Sequence, residues 1–230
     1  LIDLTAAYAS FVNGGKKIVP SLIDRIQDRR GKNIFLENFA ACTNCDEPYI
    51  EENPMPKLVN SSESIFDEAK SYQMVSILKG AVDRGTGRKT KIDGIEIAGK
   101  TGTTNNNTDA WFIGFTSDLI IGVYAGFDKP KSLGKRETGS SVAVPIFRDF
   151  VKNYYQEKPI LPFTIPNGIE LIKINYDTGE IASNFNSSES VYEAFSKSDN
   201  LVSSGEILVG SEGFQIIEVA DEVMEEYVIY

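Results

Sequence analysis

Gly94-Ile95-Glu96-Ile97-Ala98-Gly99-Lys100-Thr101-Gly102-Thr103-Thr104, followed without a break by Asn105-Asn106-Asn107-Thr108-Asp109-Ala110-Trp111-Phe112, decides how the rest of the chain is read. Residues 95–98 alternate apolar with polar or small side chains, the period-2 signature of a strand. Continued onward, that register sets Thr101 and Thr103 on one face and Lys100 on the other. Gly99 and Gly102 leave room for another backbone or a ligand to come close. The strand so formed offers two hydroxyls and exposed amides on one side and a cation on the other. It suits a carboxylate-bearing peptide laid along a sheet edge, where main-chain hydrogen bonds supply affinity. The letters from Gly94 to Thr101 also match the phosphate-cradling pattern of Gly, four residues, Gly-Lys-Thr. That pattern needs a strand before it and a helix beginning at the Lys-Thr. Here Ile95-Glu96-Ile97-Ala98 is itself strand-like, and Thr101-Gly102-Thr103-Thr104-Asn105-Asn106-Asn107 is a poor helix start. The preceding Arg88-Lys89-Thr90-Lys91-Ile92-Asp93 is too charged for a buried parallel strand. The strand reading wins over nucleotide binding.

Working outward, residues 110–115 and 119–127 are two further strand segments joined by Thr116-Ser117-Asp118. Three strands in succession with short turns imply an antiparallel sheet. Gly139-Ser140-Ser141 then leads into a helix over residues 142–155, with Pro145 tolerated in its first turn. Its Val144, Phe147, Phe150, Val151 and Tyr154 form a face able to lie across the sheet. Upstream, residues 64–84 are helical, with a stripe of Met74, Ile77, Leu78 and Ala81, and Gly85 stops them. Residues 1–11 form an amphipathic helix through Leu1, Leu4, Ala7, Tyr8 and Phe11, ended by Asn13-Gly14-Gly15. Residues 21–27 and 33–37 read as a hairpin, and residues 38–60, with Pro48, Pro54 and Pro56, as loop. The expected class is therefore α+β, an antiparallel sheet packed against helices. Pro159, Pro162 and Pro166 mark a boundary, dividing the chain into residues 1–158 and a β-rich extension, 159–230. In that extension residues 169–174 and 179–182 flank a turn at Asn175-Tyr176-Asp177-Thr178. Residues 211–230 carry six acids and no Lys or Arg, and read as an added strand or a mobile tail.

Composition narrows the chemistry. A chain of 230 residues with 41% hydrophobic content can bury a sizeable core. The net charge of −10 argues against a nucleic-acid partner, which needs a basic surface. The longest apolar run, residues 119–127, is far too short for a membrane span. Histidine is absent from the sequence, which removes Ser-His-Asp and Cys-His catalysis and most zinc sites. Acid–base work must rest on Lys, Tyr, Asp or Glu. Cys42-Thr43-Asn44-Cys45 has no second ligand pair and no surrounding βαβ pattern, so a local disulfide in an oxidising compartment is favoured over a redox or metal site. No metal and no cofactor is expected. The sequence opens directly into a helix with an apolar face, from which a fragment of something longer is expected.

The Lys-Thr-Gly-Thr strand with Asp-Ala-Trp-Phe behind it resembles the penicillin-binding proteins, and more closely the transpeptidase domain of class A, bifunctional peptidoglycan synthases. Asp3-Leu4-Thr5-Ala6-Ala7-Tyr8-Ala9-Ser10-Phe11-Val12-Asn13-Gly14-Gly15 resembles the helix that follows the active-site helices of that family. Val82-Asp83-Arg84-Gly85-Thr86-Gly87 resembles the segment before its catalytic strand. Ala98-Gly99-Lys100-Thr101-Gly102-Thr103-Thr104, Asp109-Ala110-Trp111-Phe112 and Gly126-Phe127-Asp128 resemble its sheet. The matches stand in family order and span about residues 1–155.

The resemblance implies a penicillin-binding/serine β-lactamase-like fold, incomplete at its N-terminal side, and a D,D-transpeptidase that cross-links peptidoglycan stem peptides and is a target of β-lactams. The family uses a serine followed three residues later by lysine, then Ser-x-Asn, then Lys-Thr-Gly. Ser76-Ile77-Leu78-Lys79, Ser132-Leu133-Gly134-Lys135 and Ser198-Asp199-Asn200 carry similar letters in the wrong place or order. The nucleophile is therefore expected upstream of Leu1, and the chain alone is expected to be inactive. By resemblance, Lys100 stabilises negative charge and aids proton transfer beside the Ser-x-Asn serine. Thr101 and Thr103 hold the terminal carboxylate, with Gly102 and Thr104 completing the substrate-binding strand. The Thr103 amide supplies half of an oxyanion hole, a donor of the kind worth about 3 kcal/mol of barrier. The resemblance also implies a periplasmic location at the inner membrane, anchored only through a missing N-terminal segment. The alternative is a non-catalytic peptidoglycan- or partner-binding module that keeps the sheet. The Arg84, Arg88, Lys89 and Lys91 cluster reads as a solvated loop.

Overall fold

The structure is a computed structural model, described over residues 1–37, 41–43, 57–59, 62–182, 190–197, 208–210 and 213–215. Two compact units emerge, Leu1–Pro166 and Asn167–Tyr230.

In the first unit, helix α1 (Ile2–Val12) is followed by a hairpin of β1 (Arg25–Gln27) and β2 (Asn33–Leu36). A second antiparallel pair, β3 (Ala41–Thr43) with β4 (Lys57–Val59), corrects the loop expected over residues 38–60. The three prolines fall outside both three-residue strands, so they remove no ladder donor from them. The disulfide expected between Cys42 and Cys45 lies outside the described residues, which do not include Cys45. Helix α2 (Glu68–Asp83) begins at Asp67, whose carboxylate accepts the amides of Ala69 and Lys70. Strands β5 (Ala98–Thr103), β6 (Asp109–Phe115) and β7 (Ile120–Gly126) form an antiparallel sheet in that order. A wide π-type turn, Gly139–Ala143, runs directly into helix α3 (Val144–Tyr154).

The register separates the two faces of the sheet. Phe112 lies opposite Val123, and Ala98 lies opposite Phe115. Because 112 and 115 differ by an odd number, these pairs face opposite ways. Phe112 and Val123 pack with Val144, Phe147 and Val151 of α3. Ala98 and Phe115 pack with Val75 and Leu78 of α2 and with Tyr8 and Phe11 of α1. The sheet is thus sandwiched between α1 and α2 on one side and α3 on the other, the helix-flanked antiparallel sheet expected. Gly99 does leave room for a close approach, but the protein itself fills it. A Cβ there would stand 2.8 Å from the Phe112 ring and 2.6 Å from the Ile113 carbonyl.

Three helix faces differ in phase from the hydrophobic stripes. In α2 the buried positions are Ser71, Val75, Leu78, Gly80 and Val82, while Ile77 is 59% exposed. A serine at the head of the stripe hid its true phase. In α1, Leu1 and Leu4 are exposed, and Ala9 and Ser10 are buried. In α3, Phe150 is exposed and stacks on Tyr154 at 6.5 Å between centroids.

The second unit contains β8 (Ile169–Asn175) paired antiparallel with β9 (Ser190–Ser196), and β10 (Leu208–Gly210) paired with β11 (Gly213–Gln215). The hairpin expected about residues 175–178 is present as a turn, with Gly179 donating to the Asn175 carbonyl at 2.8 Å. Its return arm shrinks to a single bridge between Ile174 and Ile181. The main partner of β8 is instead β9.

Candidate active site

The site begins with the ladder between β5 and β6. The Thr104 amide donates to the Asp109 carbonyl at 3.2 Å, continuing the register in which Thr103 faces Ala110. Hydrogen-bonded and non-bonded pairs alternate along an antiparallel ladder. Ala98, Lys100 and Gly102 therefore bond to β6, while Gly99, Thr101 and Thr103 turn their amides and carbonyls to the outer edge. Among the described residues no strand pairs with that edge.

Side chains dress the edge unequally. Lys100 is exposed, and its Nζ donates to the Thr101 carbonyl at 2.9 Å. The Thr101 hydroxyl lies 2.7 Å from that of Thr86, in the turn after α2. The Thr103 hydroxyl accepts the Gly139 amide at 3.1 Å. A Cβ on Gly139 would stand 2.4 Å from the Trp111 carbonyl and 2.6 Å from that of Gly102. Only a glycine lets the π-type turn sit so close to the strands. Gly102 packs against Trp111 from the neighbouring strand.

Thr104 is committed elsewhere. Its hydroxyl accepts the Asp109 amide at 2.8 Å and lies 2.8 Å from that of Thr108. Asp109 in turn accepts the Tyr124 hydroxyl at 2.8 Å, and this bond raises the Tyr124 pKa above its usual value. Trp111 packs against Tyr124 with the rings tilted at 57° and 4.7 Å between centroids, on the half-exposed side of the hairpin rather than in the core. At the hairpin tip Asn106 and Asn107 take φ of 62° and 52°, a conformation asparagine tolerates. The Asn107 carbonyl accepts the Leu133 amide at 2.7 Å, and its Nδ2 donates to the Gly134 carbonyl at 3.0 Å. The loop beyond β7 is thereby tied to the tip.

The competing serines have other employment. Ser76 lies within α2, and Lys79, one turn on, is ion-paired with Glu96. Glu96 also accepts the Phe163 amide at 2.9 Å. Burial opposes ionisation of Glu96, but the Lys79 and Phe163 hydrogen bonds and the Lys79 charge outweigh it and hold its pKa below the usual value. The Ser132 hydroxyl accepts the Gly134 amide at 3.2 Å, and Ser198 lies outside the described residues. Among the described residues no group of three His, Cys, Asp or Glu side chains is placed to hold a metal ion. No helix among them is long and apolar enough to cross a membrane. Thr86, Asn107 and Gly139 were not singled out as site residues from sequence. Thr86 lies 15 residues from Thr101, Asn107 lies 27 from Gly134, and Gly139 lies 36 from Thr103, so no local pattern joins them.

The family model for the penicillin binding protein transpeptidase domain matches residues 1–152. The chain belongs to this family. Among curated transpeptidase-family relatives, Penicillin-binding protein 1A of Rickettsia conorii is 45% identical over 187 residues, covering 79% of this chain and 23% of its own length. Penicillin-binding protein 1A of Pseudomonas aeruginosa is 31% identical, covering 91% of this chain and 29% of its own length. The chain thus spans about a quarter of the length of the curated relatives it matches. A crystal structure of Penicillin-Binding Protein 1A from Haemophilus influenzae superposes with a TM-score of 0.67 at 27% identity, over 84% of this chain and 31% of that one. The family resemblance carried by the Lys-Thr-Gly-Thr strand is the relationship found.

Proposed function

We propose that the chain is the C-terminal part of a peptidoglycan D,D-transpeptidase domain, and that β5 is its substrate strand. The observation that carries this reading is the outer edge of β5, where the Thr103 amide and two threonine hydroxyls are available beside the Lys100 ammonium. A stem peptide ending in D-Ala-D-Ala lies along that edge, its terminal carboxylate held by Thr101 and Thr103. The Thr103 hydroxyl accepts from Gly139 and so keeps its own proton to give. The scissile carbonyl oxygen points at the Thr103 amide, one half of an oxyanion hole. A serine hydroxyl attacks the carbonyl carbon, the C–N bond breaks, and D-alanine leaves with the serine's proton. An amine on a neighbouring stem peptide then attacks the acyl-serine ester, forms the cross-link, and restores the hydroxyl. Lys100 stabilises the negative charge and assists the proton transfer.

The nucleophile is supplied by polypeptide outside these residues. The ion pair between Lys79 and Glu96 supports this, since it gives that lysine a structural partner within the fold. The relatives' names favour the enzyme over a non-catalytic module. The same reading gives the whole protein a glycosyltransferase region, an N-terminal membrane anchor and a place at the periplasmic face of the inner membrane. Its ligands are stem peptides and β-lactams.

Labelling with a fluorescent penicillin tests the assignment. The full-length gene product is expected to be labelled covalently, and the 230-residue chain alone is not. Labelling of the short chain would move the nucleophile to Ser76. Labelling of neither would remove the transpeptidase.

A further inference from the structure

On the reading above, Thr101 and Thr103 both donate to one carboxylate. A hydroxyl has a single proton, so it can donate there only if no other neighbour takes that proton. Thr103 is settled, because its neighbour is the Gly139 amide, which can only give. Thr101 is not, because its neighbour at 2.7 Å is another hydroxyl, that of Thr86, which can either give or take.

Thr86 is held at that point by its backbone. The Arg84 amide donates to the Gly80 carbonyl at 2.8 Å, and the Gly87 amide to the Ala81 carbonyl at 3.0 Å. A Cβ on Gly85 would stand 2.8 Å from the Ala81 carbonyl. The turn is thus folded back on the last turn of α2, and it carries one hydroxyl across to the substrate strand. Arg88 and Lys89 follow at once on the exposed side of the same turn, adding positive charge.

We propose that Thr86 is a positioning residue for the transpeptidase reaction. It gives its proton to Thr101 Oγ1 when a carboxylate arrives, so that Thr101 gives its own to the substrate. Either hydroxyl can be the donor in the Thr86–Thr101 bond, and the anion at its end sets the direction. Such a chain strengthens each of its members, and it rewards a free terminal carboxylate over an ester or an amide. Thr86 touches no substrate atom; it acts through Thr101. This inference rests on the function proposed above.

The test uses the full-length gene product and two probes, benzylpenicillin and its methyl ester, in which the carboxylate is blocked. Second-order acylation rate constants are measured for both. Thr86→Val is expected to lower the free-acid rate about fivefold to tenfold, and to lower the free-acid to ester ratio by a similar factor. Thr86→Ser is expected to restore the ratio. A merely structural role would slow both probes in parallel and leave the ratio alone. An unmoved ratio in Thr86→Val, or a ratio in Thr86→Ser as low as in Thr86→Val, overturns the proposal. Thermal unfolding checks each variant; if Thr86→Val does not fold, Thr86→Ala at this exposed position decides by the same ratio. Wild-type protein acylated by neither probe overturns the transpeptidase assignment and this inference together. Acylated wild type with an unmoved variant ratio overturns this inference alone.

Discussion

At Thr103 two demands meet in one hydroxyl, since it accepts the Gly139 amide at 3.1 Å and keeps a proton for a ligand. Thr103→Val breaks both. It leaves the amide of buried Gly139 without an acceptor, which costs about 1–3 kcal/mol of stability. It also removes a charge-assisted bond, so penicillin acylation of the full-length protein falls about 10- to 100-fold. Thr101→Val shares only the second loss, because its partner Thr86 is exposed to water. Thermal unfolding run beside the acylation assay separates the two: loss of acylation in both variants, loss of stability in Thr103→Val. Equal stability of the two variants would contradict this division. Tyr155 gives a residue-scale test away from the site. Its hydroxyl bonds Asp118 and lies 2.7 Å from the Thr116 hydroxyl. Burial first and the Asp118 bond second push its pKa from 10.0 up to about 12, against a smaller opposing effect of the Thr116 bond. The folded state therefore holds this proton more tightly than the unfolded one. The resulting stabilisation is whole below pH 10.0 and is lost as pH rises towards about 12. Urea unfolding at pH 8, 10 and 11 should show the wild type losing stability faster than Tyr155→Phe, and parallel losses would refute it.

At the scale of elements, the π-type turn before α3 is the piece that a hydrophobic pattern could not deliver. Residues 142–155 read as one helix because Val144, Phe147 and Val151 keep helical spacing, and those three are fully buried. Periodicity reports which side chains share a face, but not that the first turn, Gly139–Ala143, is wound wide and pressed against β5 and β6. The central strand was legible for the opposite reason. The alternation over residues 95–98 announced it three residues early, since the strand begins at Ala98, while the shared side of Thr101 and Thr103 follows from consecutive letters. The roles of Thr86 and Gly139 were not, because each reaches β5 from another element. Gly139→Ala tests the seating of the turn. Its Cβ would meet two backbone carbonyls, at 2.4 and 2.6 Å, neither of which can rotate away. Overpacking of this kind costs about 1–3 kcal/mol, and relief by lifting the turn would pull the Gly139 amide off Thr103. A lower unfolding midpoint together with slower acylation is the expected result. Unchanged acylation would mean that the turn does not set Thr103.

At the scale of the whole molecule, the stretch rich in proline shows what a sequence leaves undecided about a boundary. Pro159, Pro162 and Pro166 announce that regular structure stops, but not which of the intervening residues still pack. Phe163 does. It is 8% exposed, meets Phe115 edge-on at 5.9 Å between centroids, and gives its amide to Glu96 at 2.9 Å. Just ahead of it, the Leu161 carbonyl accepts the Ser117 hydroxyl at 2.9 Å. The first unit accordingly runs to Pro166. Two truncations of the full-length protein make the argument measurable, one ending at Pro166 and one at residue 158. The longer one keeps Phe163 over Phe115 and the amide on Glu96, so its unfolding midpoint and penicillin labelling should stay near those of the intact protein. The shorter one strips an aromatic side chain from the core beside α2 and β5, a loss of about 3–5 kcal/mol by the measure of large-to-small core changes. It also leaves Glu96 with Lys79 alone, so the part of its deficit that comes from this carboxylate should shrink as the pH drops. The depressed pKa of Glu96 stabilises the fold above the usual carboxylate pKa of 4.5, and that contribution disappears as the carboxylate is protonated. If both truncations unfold at the same temperature, Phe163 is not a core residue and the first unit ends before it.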